Sequence, residues 1–417
     1  MNVLLKSATI IDPKSEFHNQ TQDILIENGA IVKISKSISN PKKHKEIKLD
    51  NLHVSQGWFD SSVSFGEPGY EERETLSNGL NTAARSGFTD VALNPETSPV
   101  IDCNSDISFI KSKAQNNIVN IHPIGALTKH SEGEGLAELF DMQTAGAVAF
   151  GDYKKSLGNA NLMKIALQYS TNFDGLICAF PQDDCIASNG VMNEHVSSTK
   201  LGLKGIPNLA EELRITRDLY LLEYTGGRLH IPTISTAKSV ELIREAKKNK
   251  LDITCSVAIH NLCFSDEVLR EFETRFKVSP PLRTQNDIDA LLEGLKDGTI
   301  DMVTSDHNPL NIELKDKEFD YAKEGTIGLE SAFGALNSKF PVKSTVKILT
   351  KGKDRFSVNS SPINEGNKAT LTLFDPDKKY TFSKENISSK SNNSIFINYE
   401  LKGKVYGIIN NNKLKLN

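Results

Sequence analysis

Residues 57–69 read GWFDSSVSFGEPG. A short apolar run ends in polar residues and then in a Gly/Pro turn, which is typical of a strand that finishes at the edge of a sheet. The same pattern, with a helical stretch after it, recurs along the middle of the chain. The further runs are FTDVALNP (88–95), IVNIHPIGAL (118–127), GAVAFGD (146–152), GLICAF (175–180), RLHIPTIS (228–235), DITCSVAIH (252–260) and IDMVTSDHNP (300–309).

Helical segments separate these runs. Residues 207–226 carry apolar side chains at three- and four-residue spacing and end at a glycine. Residues 235–249 begin at a Ser/Thr cap and end in basic residues, as the helix dipole favours. Eight strand–helix units within about 290 residues predict a (β/α)8 TIM barrel. A doubly wound open sheet is the alternative, which is disfavoured because no glycine-rich phosphate loop follows the first strand.

The two ends of the chain have a different pattern from the middle. Residues 1–55 and 366–417 alternate apolar and polar positions and contain turn signals such as ENG, which indicates antiparallel strands and hairpins. We expect both ends to pair into one small β-sandwich domain, formed by residues 1–55 and 355–417. The barrel domain would then span residues 56–354.

The bulk composition excludes several classes of protein. A formal net charge of −4 without a long Lys/Arg block argues against a nucleic-acid surface. Five scattered cysteines without CxxC spacing indicate reduced thiols and neither a disulfide framework nor a zinc site. No secretory signal and no apolar run of membrane-spanning length is found, so we expect a cytoplasmic protein without a membrane partner.

Several longer stretches resemble one known family. They are HPIGALTK (122–129), GGRLHIPTISTAKSVELIR (226–244), KVSPPLR (277–283), LLEGLKDGTIDMVTSDHNP (291–309), GTIGLES (325–331) and ATLTLFDP (369–376). In content and order they resemble the dihydroorotases of the amidohydrolase superfamily, in the class that associates with aspartate transcarbamoylase. The resemblance covers nearly the whole chain and implies the barrel and the terminal β-domain.

The resemblance also implies where a metal site would lie. Active members hold one or two zinc ions at the barrel mouth through an HxH pair after strand 1, a Lys or Asp after strand 4, histidines after strands 5 and 6, and an Asp after strand 8. Metal coordination lowers the pKa of bound water from about 15.7 to about 7, which makes it a nucleophile for a ring amide. The positions that match these ligands carry Ser62, Ser64, Asp152, Phe180, Thr233 and Asp306.

Only two of these positions, Asp152 and Asp306, retain a ligating side chain. His230 lies three residues before Thr233 and is not the family's ligand. Two carboxylates without an imidazole make a poor zinc site, because oxygen-only sets suit Mg²⁺ or Ca²⁺ and need more ligands. We therefore expect no metal cofactor, in contrast to the zinc of active members.

The substrate-binding positions that the resemblance implies are altered as well. The family's carboxylate-binding Arg corresponds to Gly66, and two Asn positions correspond to Glu96 and Ser279. Loss of the Arg removes charged hydrogen bonds worth roughly 1.5–3 kcal/mol each. Glu96 would place a negative charge where an anionic substrate binds, so we expect no substrate site.

Several polar residues admit both a catalytic and a structural interpretation. Asp306 with the adjacent His307 could form a residual general base, or Asp306 could bind loop backbone. Asp152 could ligate a metal or cap a loop. Structural roles are expected for five further residues. We expect His122 and His260 to be hydrogen-bonded structural histidines, and Glu71, Glu72 and Glu74 to form the acidic first turn of the first barrel helix.

Three hypotheses for the function follow. The first is a non-catalytic dihydroorotase-like protein of pyrimidine biosynthesis that acts as a structural partner of aspartate transcarbamoylase. The second is an active cyclic amidohydrolase with an altered metal site that uses Asp152 and Asp306. The third is a scaffold for another partner, as in the collapsin response mediator proteins, which are metal-free relatives of dihydropyrimidinases. The resemblance further implies a homo-oligomer, at least a dimer.

Overall fold

A computed structural model describes residues 1–417, apart from the side chain of Arg270. The strands are β1 (Asn2–Ile10), β2 (Thr21–Glu27), β3 (Ala30–Ser35), β4 (Lys45–Ile47), β5 (His53–Gln56), β6 (Trp58–Val63), β7 (Phe88–Leu93), β8 (Asn120–Gly125), β9 (Ala149–Phe150), β10 (Leu176–Cys178), β11 (Met192–Asn193), β12 (Gly205–Ile206), β13 (Arg228–Ile231), β14 (Ile253–Ala258), β15 (Met302–Thr304), β16 (Leu371–Thr381), β17 (Glu400–Asn410) and β18 (Lys413–Leu416).

Helices follow most of the central strands. They are α1 (Leu76–Arg85), α2 (Asn104–Lys113), α3 (Leu139–Ala145), α4 (Ala160–Ser170), α5 (Asp184–Ala187), α6 (Val196–Leu201), α7 (Asn208–Thr225), α8 (Ala237–Lys248), α9 (Gln285–Asp297), α10 (Ile312–Lys315), α11 (Leu329–Lys339) and α12 (Val342–Arg355). The two helices predicted over 207–226 and 235–249 are confirmed as α7 and α8. No described helix combines the length and the apolarity that a bilayer-spanning segment requires.

The eight predicted barrel strands form one parallel sheet in the order β6-β7-β8-β9-β10-β13-β14-β15. Its two edge strands meet through a parallel bridge between Val63 and His307, and the Ser64 amide donates to the His307 carbonyl oxygen at 2.8 Å. The buried Asp60 carboxylate reinforces this seam by accepting from the Ser305 amide at 2.9 Å. The sheet therefore nearly closes into a (β/α)8 barrel, and the fold prediction is confirmed.

Strands from both ends of the chain lie in a second sheet. Its order is β18-β17-β16-β5-β1-β2-β3, with β4 also paired to β1. The ends join where β16 pairs antiparallel with β5. The sheet packs around an apolar core of its own, which includes Val3, Ile24, Val54, Leu371 and Ile409. This pairing supports our proposed division into a barrel and a composite terminal domain.

Candidate functional site at the barrel mouth

The carboxyl ends of the barrel strands bring most of the predicted site residues together, as parallel barrels generally do. Only a small cavity of about 20 Å³ remains there, which is room for about one water molecule. Pockets for small ligands usually measure about 300–1,000 Å³. The residues that line this cavity include Ser62, Asn94, Tyr153, Lys154, Phe180, His230 and Thr233.

Asp306 lies at the centre of a hydrogen-bonded cluster. Its buried carboxylate accepts from Lys154 Nζ at 2.8 Å, from Tyr153 Oη at 3.2 Å and from Ser62 Oγ at 3.4 Å. Lys154 is itself half-buried, so this is a largely desolvated ion pair. The ammonium group of this lysine thus pairs with the carboxylate at the position that the resemblance implies for a metal ligand.

Tyr153 serves this cluster as a donor. Burial and the nearby carboxylates of Asp306 and Glu96 raise the pKa of Tyr153 well above its usual value. The phenol therefore stays neutral and donates to Asp306. A neutral phenol does not act as a general base.

The two serines at the predicted HxH positions share one amide partner. Asn94 Nδ2 donates to Ser62 Oγ at 3.0 Å and to Ser64 Oγ at 3.2 Å. No hydrogen bond between an imidazole and either hydroxyl occurs among the described residues. Neither serine therefore has the imidazole partner of a Ser–His pair, and the Asp306 carboxylate that accepts from Ser62 Oγ is already paired with Lys154.

Asp152 holds a loop in place. Its carboxylate accepts from the amides of Leu127 at 2.9 Å and Thr128 at 3.1 Å, and from Thr128 Oγ1 at 2.6 Å. Both of its oxygens are therefore engaged with the segment after β8, which is the capping role. The next residue, Tyr153, is the one whose side chain donates to Asp306.

Phe180 and Thr233 lie at the ends of β10 and β13, where the sequence placed them. Both are buried against the mouth cavity, and the Phe180 ring takes up space at its wall. His230 lines the same cavity, where its Nδ1 shares a hydrogen bond with Thr254 Oγ1 at 2.9 Å. Burial lowers the pKa of His230 to about 3, so this imidazole is neutral.

His307 points away from its neighbour Asp306. Its Nε2 lies 2.7 Å from Glu74 Oε2, and its Nδ1 accepts from the amides of Gly328 and Leu329. Both ring nitrogens are therefore occupied by other partners, which argues against the interpretation of Asp306 and His307 as a residual general base. The first helix begins at Leu76 with Thr75 as its cap, so the expectation that Glu71, Glu72 and Glu74 form its acidic first turn is wrong.

The other two histidines differ from each other. His122 Nε2 lies 3.1 Å from Asp90 Oδ1, which confirms a hydrogen-bonded structural histidine. His260 is fully buried, and neither of its ring nitrogens has a hydrogen-bond partner among the described residues. For His260 the expectation of a hydrogen-bonded imidazole is therefore wrong. Burial lowers its pKa to about 3.

The predicted substrate positions offer no anion clamp. A side chain at Gly66 would bring its Cβ to 1.8 Å from the Tyr70 carbonyl oxygen, so this loop has no room for an arginine. Glu96 lies exposed after β7, near the opposite charges of Lys154 and Arg73. Ser279 is half-buried and precedes Pro280.

The residues at the mouth do not fit a zinc ion. Zinc sites in proteins use thiolate, imidazole and carboxylate ligands in a tetrahedron. The side chains around Asp306 are two donor hydroxyls and an ammonium group, which repels a cation. Within the described part of the chain, one group of His, Cys, Asp and Glu side chains could converge on a metal ion. It lies away from the mouth, at Asp102, Cys103 and Asp106.

Sequence reasoning missed three residues of the cluster, namely Asn94, Tyr153 and Lys154. A signal for them existed, because each follows a predicted barrel strand at its carboxyl end. What the sequence could not indicate was which of these side chains would turn toward Asp306.

Comparison with known proteins agrees with this fold. The family model described as Dihydro-orotase-like matches residues 53–239. A dihydroorotase of Pelotomaculum thermopropionicum is 40% identical over 410 residues, covering 97% of this chain and 96% of that protein. A dihydroorotase of Acetivibrio thermocellus is 39% identical over 413 residues, with 97% and 96% covered.

Solved structures share the architecture at lower identity. The L-hydantoinase (dihydropyrimidinase) of Arthrobacter aurescens superposes with a TM-score of 0.86 at 20% identity, covering 99% of this chain and 95% of that one. This likeness concerns the fold alone, whereas the dihydroorotases match at much higher identity over nearly their full length. The chain therefore belongs to the dihydroorotase family.

Proposed function

We propose that this chain is a non-catalytic, cytoplasmic, dihydroorotase-like protein of pyrimidine biosynthesis that acts as a structural partner of aspartate transcarbamoylase. The observation that supports the proposed lack of catalysis is the ion pair of Lys154 with Asp306 at 2.8 Å. It puts an ammonium group beside the one retained carboxylate that faces the mouth.

The chemistry of this cluster supports a lack of hydrolysis. Attack on a ring amide needs a water molecule that has lost a proton, and unassisted water has a pKa of about 15.7. An ammonium group has no lone pair to take up that proton. The Asp306 carboxylate accepts three hydrogen bonds already. The cavity of about 20 Å³ also lacks room for an organic substrate.

The role as a structural partner rests on the family resemblance. Dihydroorotases of the class that this chain resembles assemble with aspartate transcarbamoylase, and inactive relatives serve as structural partners in that assembly. An intact barrel with an altered mouth fits such a role, because an interface needs the outer surface and not the chemistry of the site.

The test of catalysis is an assay in both directions. The purified chain should neither cyclise carbamoyl aspartate nor hydrolyse the ring of dihydroorotate. Elemental analysis should find less than about 0.1 zinc ion per chain. The A. thermocellus dihydroorotase, expressed and purified in the same way, is the positive control. Turnover by this chain that Asp306→Asn abolishes would overturn the proposal, since it would assign the activity to this mouth and not to a contaminant.

The test of partnership uses the aspartate transcarbamoylase of the same organism. The two purified proteins should elute together in gel filtration, and this chain should raise the activity or the melting temperature of the transcarbamoylase. The A. thermocellus dihydroorotase, mixed with the same transcarbamoylase, serves as the control protein from another organism. Separate elution together with capture of a different protein in an unbiased pulldown would favour a scaffold for that other partner.

The names of the relatives favour the alternative of an active hydrolase. Both relatives are called dihydroorotase and match over 97% of this chain. A stoichiometric divalent metal in protein purified without added metal would support that alternative and would contradict the proposed role of Lys154.

A further inference from the structure

A second cavity lies where the barrel helices meet the terminal sheet. It measures about 340 Å³, against about 20 Å³ for the cavity at the mouth. Pockets for small ligands usually measure about 300–1,000 Å³, so this cavity is large enough to hold one. Its walls come from α1, α11, β16, β17 and the last residue of the chain, so both domains contribute to it. It shares no lining residue with the mouth, and the proposed function does not use it.

Two buried oxygens of residues that line this cavity have no hydrogen-bond partner. Glu330 Oε1 accepts from the amides of Ser388 at 3.1 Å and Ser389 at 3.0 Å, whereas its Oε2 is buried without a partner among the described residues. The same holds for Oγ of Ser86, a residue that is only 4% exposed. Such groups are rare in proteins, because burial removes their hydrogen bonds to water. A ligand with hydroxyl groups in this cavity would supply the missing partners.

The phenol of Tyr380 adds a donor to the same cavity. Its hydroxyl forms no hydrogen bond with another described residue. A Cβ atom at Gly334 would lie only 3.2 Å from Tyr380 Oη, so the glycine leaves room beside this hydroxyl. Burial and the Glu330 carboxylate raise the pKa of Tyr380 to about 12. The phenol is therefore neutral at pH 7 and can donate to a ligand oxygen.

The rim of the cavity is positively charged. Arg85, Lys378 and Lys404 line it and are exposed. None of the three forms an ion pair with a described carboxylate. One exposed carboxylate, that of Glu385, lies on the same rim, so the cations outnumber it. Arginine and lysine side chains without a carboxylate partner are the usual recognition groups for phosphate.

We propose that this cavity binds a ribose phosphate, either free or as part of a nucleotide. The phosphate pairs with Lys378, Lys404 and Arg85 at the rim, and the sugar hydroxyls bind Glu330 and Tyr380 on the wall. A hydroxyl group both donates and accepts, so a sugar satisfies the carboxylate oxygen and the phenol together. An ammonium group only donates and is repelled by the cations of the rim. Carboxylate side chains bind ribose hydroxyls in the same way in dinucleotide-binding folds.

The first test is titration calorimetry with ribose 5-phosphate at pH 7. One molecule should bind per chain with a dissociation constant below about 1 mM. Saturation should also raise the melting temperature, because the ligand contacts both domains of the folded chain. Inorganic phosphate alone and ribose alone should each bind at least about tenfold more weakly, since each engages only one end of the cavity.

The rim is tested by removal of one positive charge at a time. Lys378→Met and Lys404→Met should each weaken the binding of ribose 5-phosphate and of inorganic phosphate at least about tenfold, because each variant loses a charged hydrogen bond. The matched control is Lys379→Met. Lys379 is the exposed next residue, lies outside the cavity lining and pairs with Glu400 at 3.6 Å, so its loss should leave binding unchanged.

The wall is tested by Glu330→Gln. Glutamine keeps one oxygen for the amides of Ser388 and Ser389 and replaces the oxygen without a partner by an NH2 group, which cannot accept from a sugar hydroxyl. This variant should weaken ribose 5-phosphate at least about tenfold and leave inorganic phosphate unchanged. The contrast with the lysine variants assigns the two ends of the ligand to the two parts of the cavity.

Adenosine monophosphate and cytidine monophosphate distinguish the two sources of a ribose phosphate. Tighter binding of either nucleotide than of ribose 5-phosphate would identify a nucleotide as the ligand, and weaker binding of both would identify the free sugar phosphate. The absence of saturable binding up to about 10 mM of all three, or binding that the two lysine variants leave unchanged, would overturn the proposal. An equal affinity of Glu330→Gln for ribose 5-phosphate would also overturn it. Unchanged thermal melting of the variants without ligand shows that they fold.

Discussion

Replacement of Lys154 by methionine tests the arrangement at the barrel mouth most directly. Methionine is one heavy atom shorter than lysine but keeps most of its unbranched chain, and it removes the charge that lies 2.8 Å from the buried Asp306 carboxylate. At an effective dielectric constant of about 20, the attraction across that distance is about 6 kcal/mol before desolvation is counted. Removal of one partner of a buried pair usually costs about 3–5 kcal/mol, and half-burial of Lys154 favours the lower value. We expect Lys154→Met to lower the free energy of unfolding by about 3 kcal/mol.

The assay is urea unfolding at pH 7, with a double-mutant cycle. Lys155→Met is the matched control, because Lys155 is the exposed next residue and should lose less than about 0.5 kcal/mol. Lys154→Met combined with Asp306→Asn removes both charges and should recover most of the loss, so the coupling energy should reach at least about 2 kcal/mol. A coupling energy near zero would refute the idea that the ammonium group compensates the carboxylate.

Three further predictions concern buried groups. Phe180→Ala should lower the free energy of unfolding by about 3 kcal/mol, measured with urea, because the ring is packed at the mouth; a loss below about 1 kcal/mol would contradict this. Burial lowers the pKa of Lys315 to about 7, so between about pH 7 and 10.5 the unfolded chain binds more protons than the folded chain. The free energy of unfolding should therefore rise with pH over this range. Unfolding curves of Lys315→Met should lack this rise. Burial alone would raise the pKa of Asp90, but Lys353 and His122 hold it well below its usual value. Lys353→Met should therefore lower the free energy of unfolding by about 3 kcal/mol at pH 7, and by less below about pH 4, where Asp90 of the variant takes up a proton. An equal loss at both pH values would contradict this ion pair.

The barrel was predictable because its signal is local. Each of the eight strands is a short apolar run bounded by turn residues and helical segments, and this pattern is typical of a parallel strand buried on both faces. The predicted helices 207–226 and 235–249 agree with α7 and α8 within two residues at each end. The terminal strands were predictable for the same reason, since their alternation is a property of each segment.

The side-chain partners at the mouth were not predictable, because they depend on distant parts of the chain. Lys154 and Asp306 are 152 residues apart, and Glu74 and His307 are 233 residues apart. The motif match predicted Asp152 as the site residue. In the structure its carboxylate binds a loop, and the side chains of the next two residues, Tyr153 and Lys154, contact Asp306 instead. A shift of one residue in a loop decides which side chain meets the site, and sequence patterns do not resolve that shift.

The backbone at two of the predicted ligand positions lies in the left-handed region, which aspartate tolerates and threonine does not favour. Thr233 has φ +51° and Asp306 has φ +46°. For a β-branched residue such as threonine this left-handed region is a true outlier, with a cost of about 1–3 kcal/mol. No local preference of the threonine explains it, so the surrounding barrel imposes it. At these strand ends the side chains pack against and pair with each other, and a family match over the whole chain does not report such contacts. The match therefore does not by itself decide whether the chain is an enzyme.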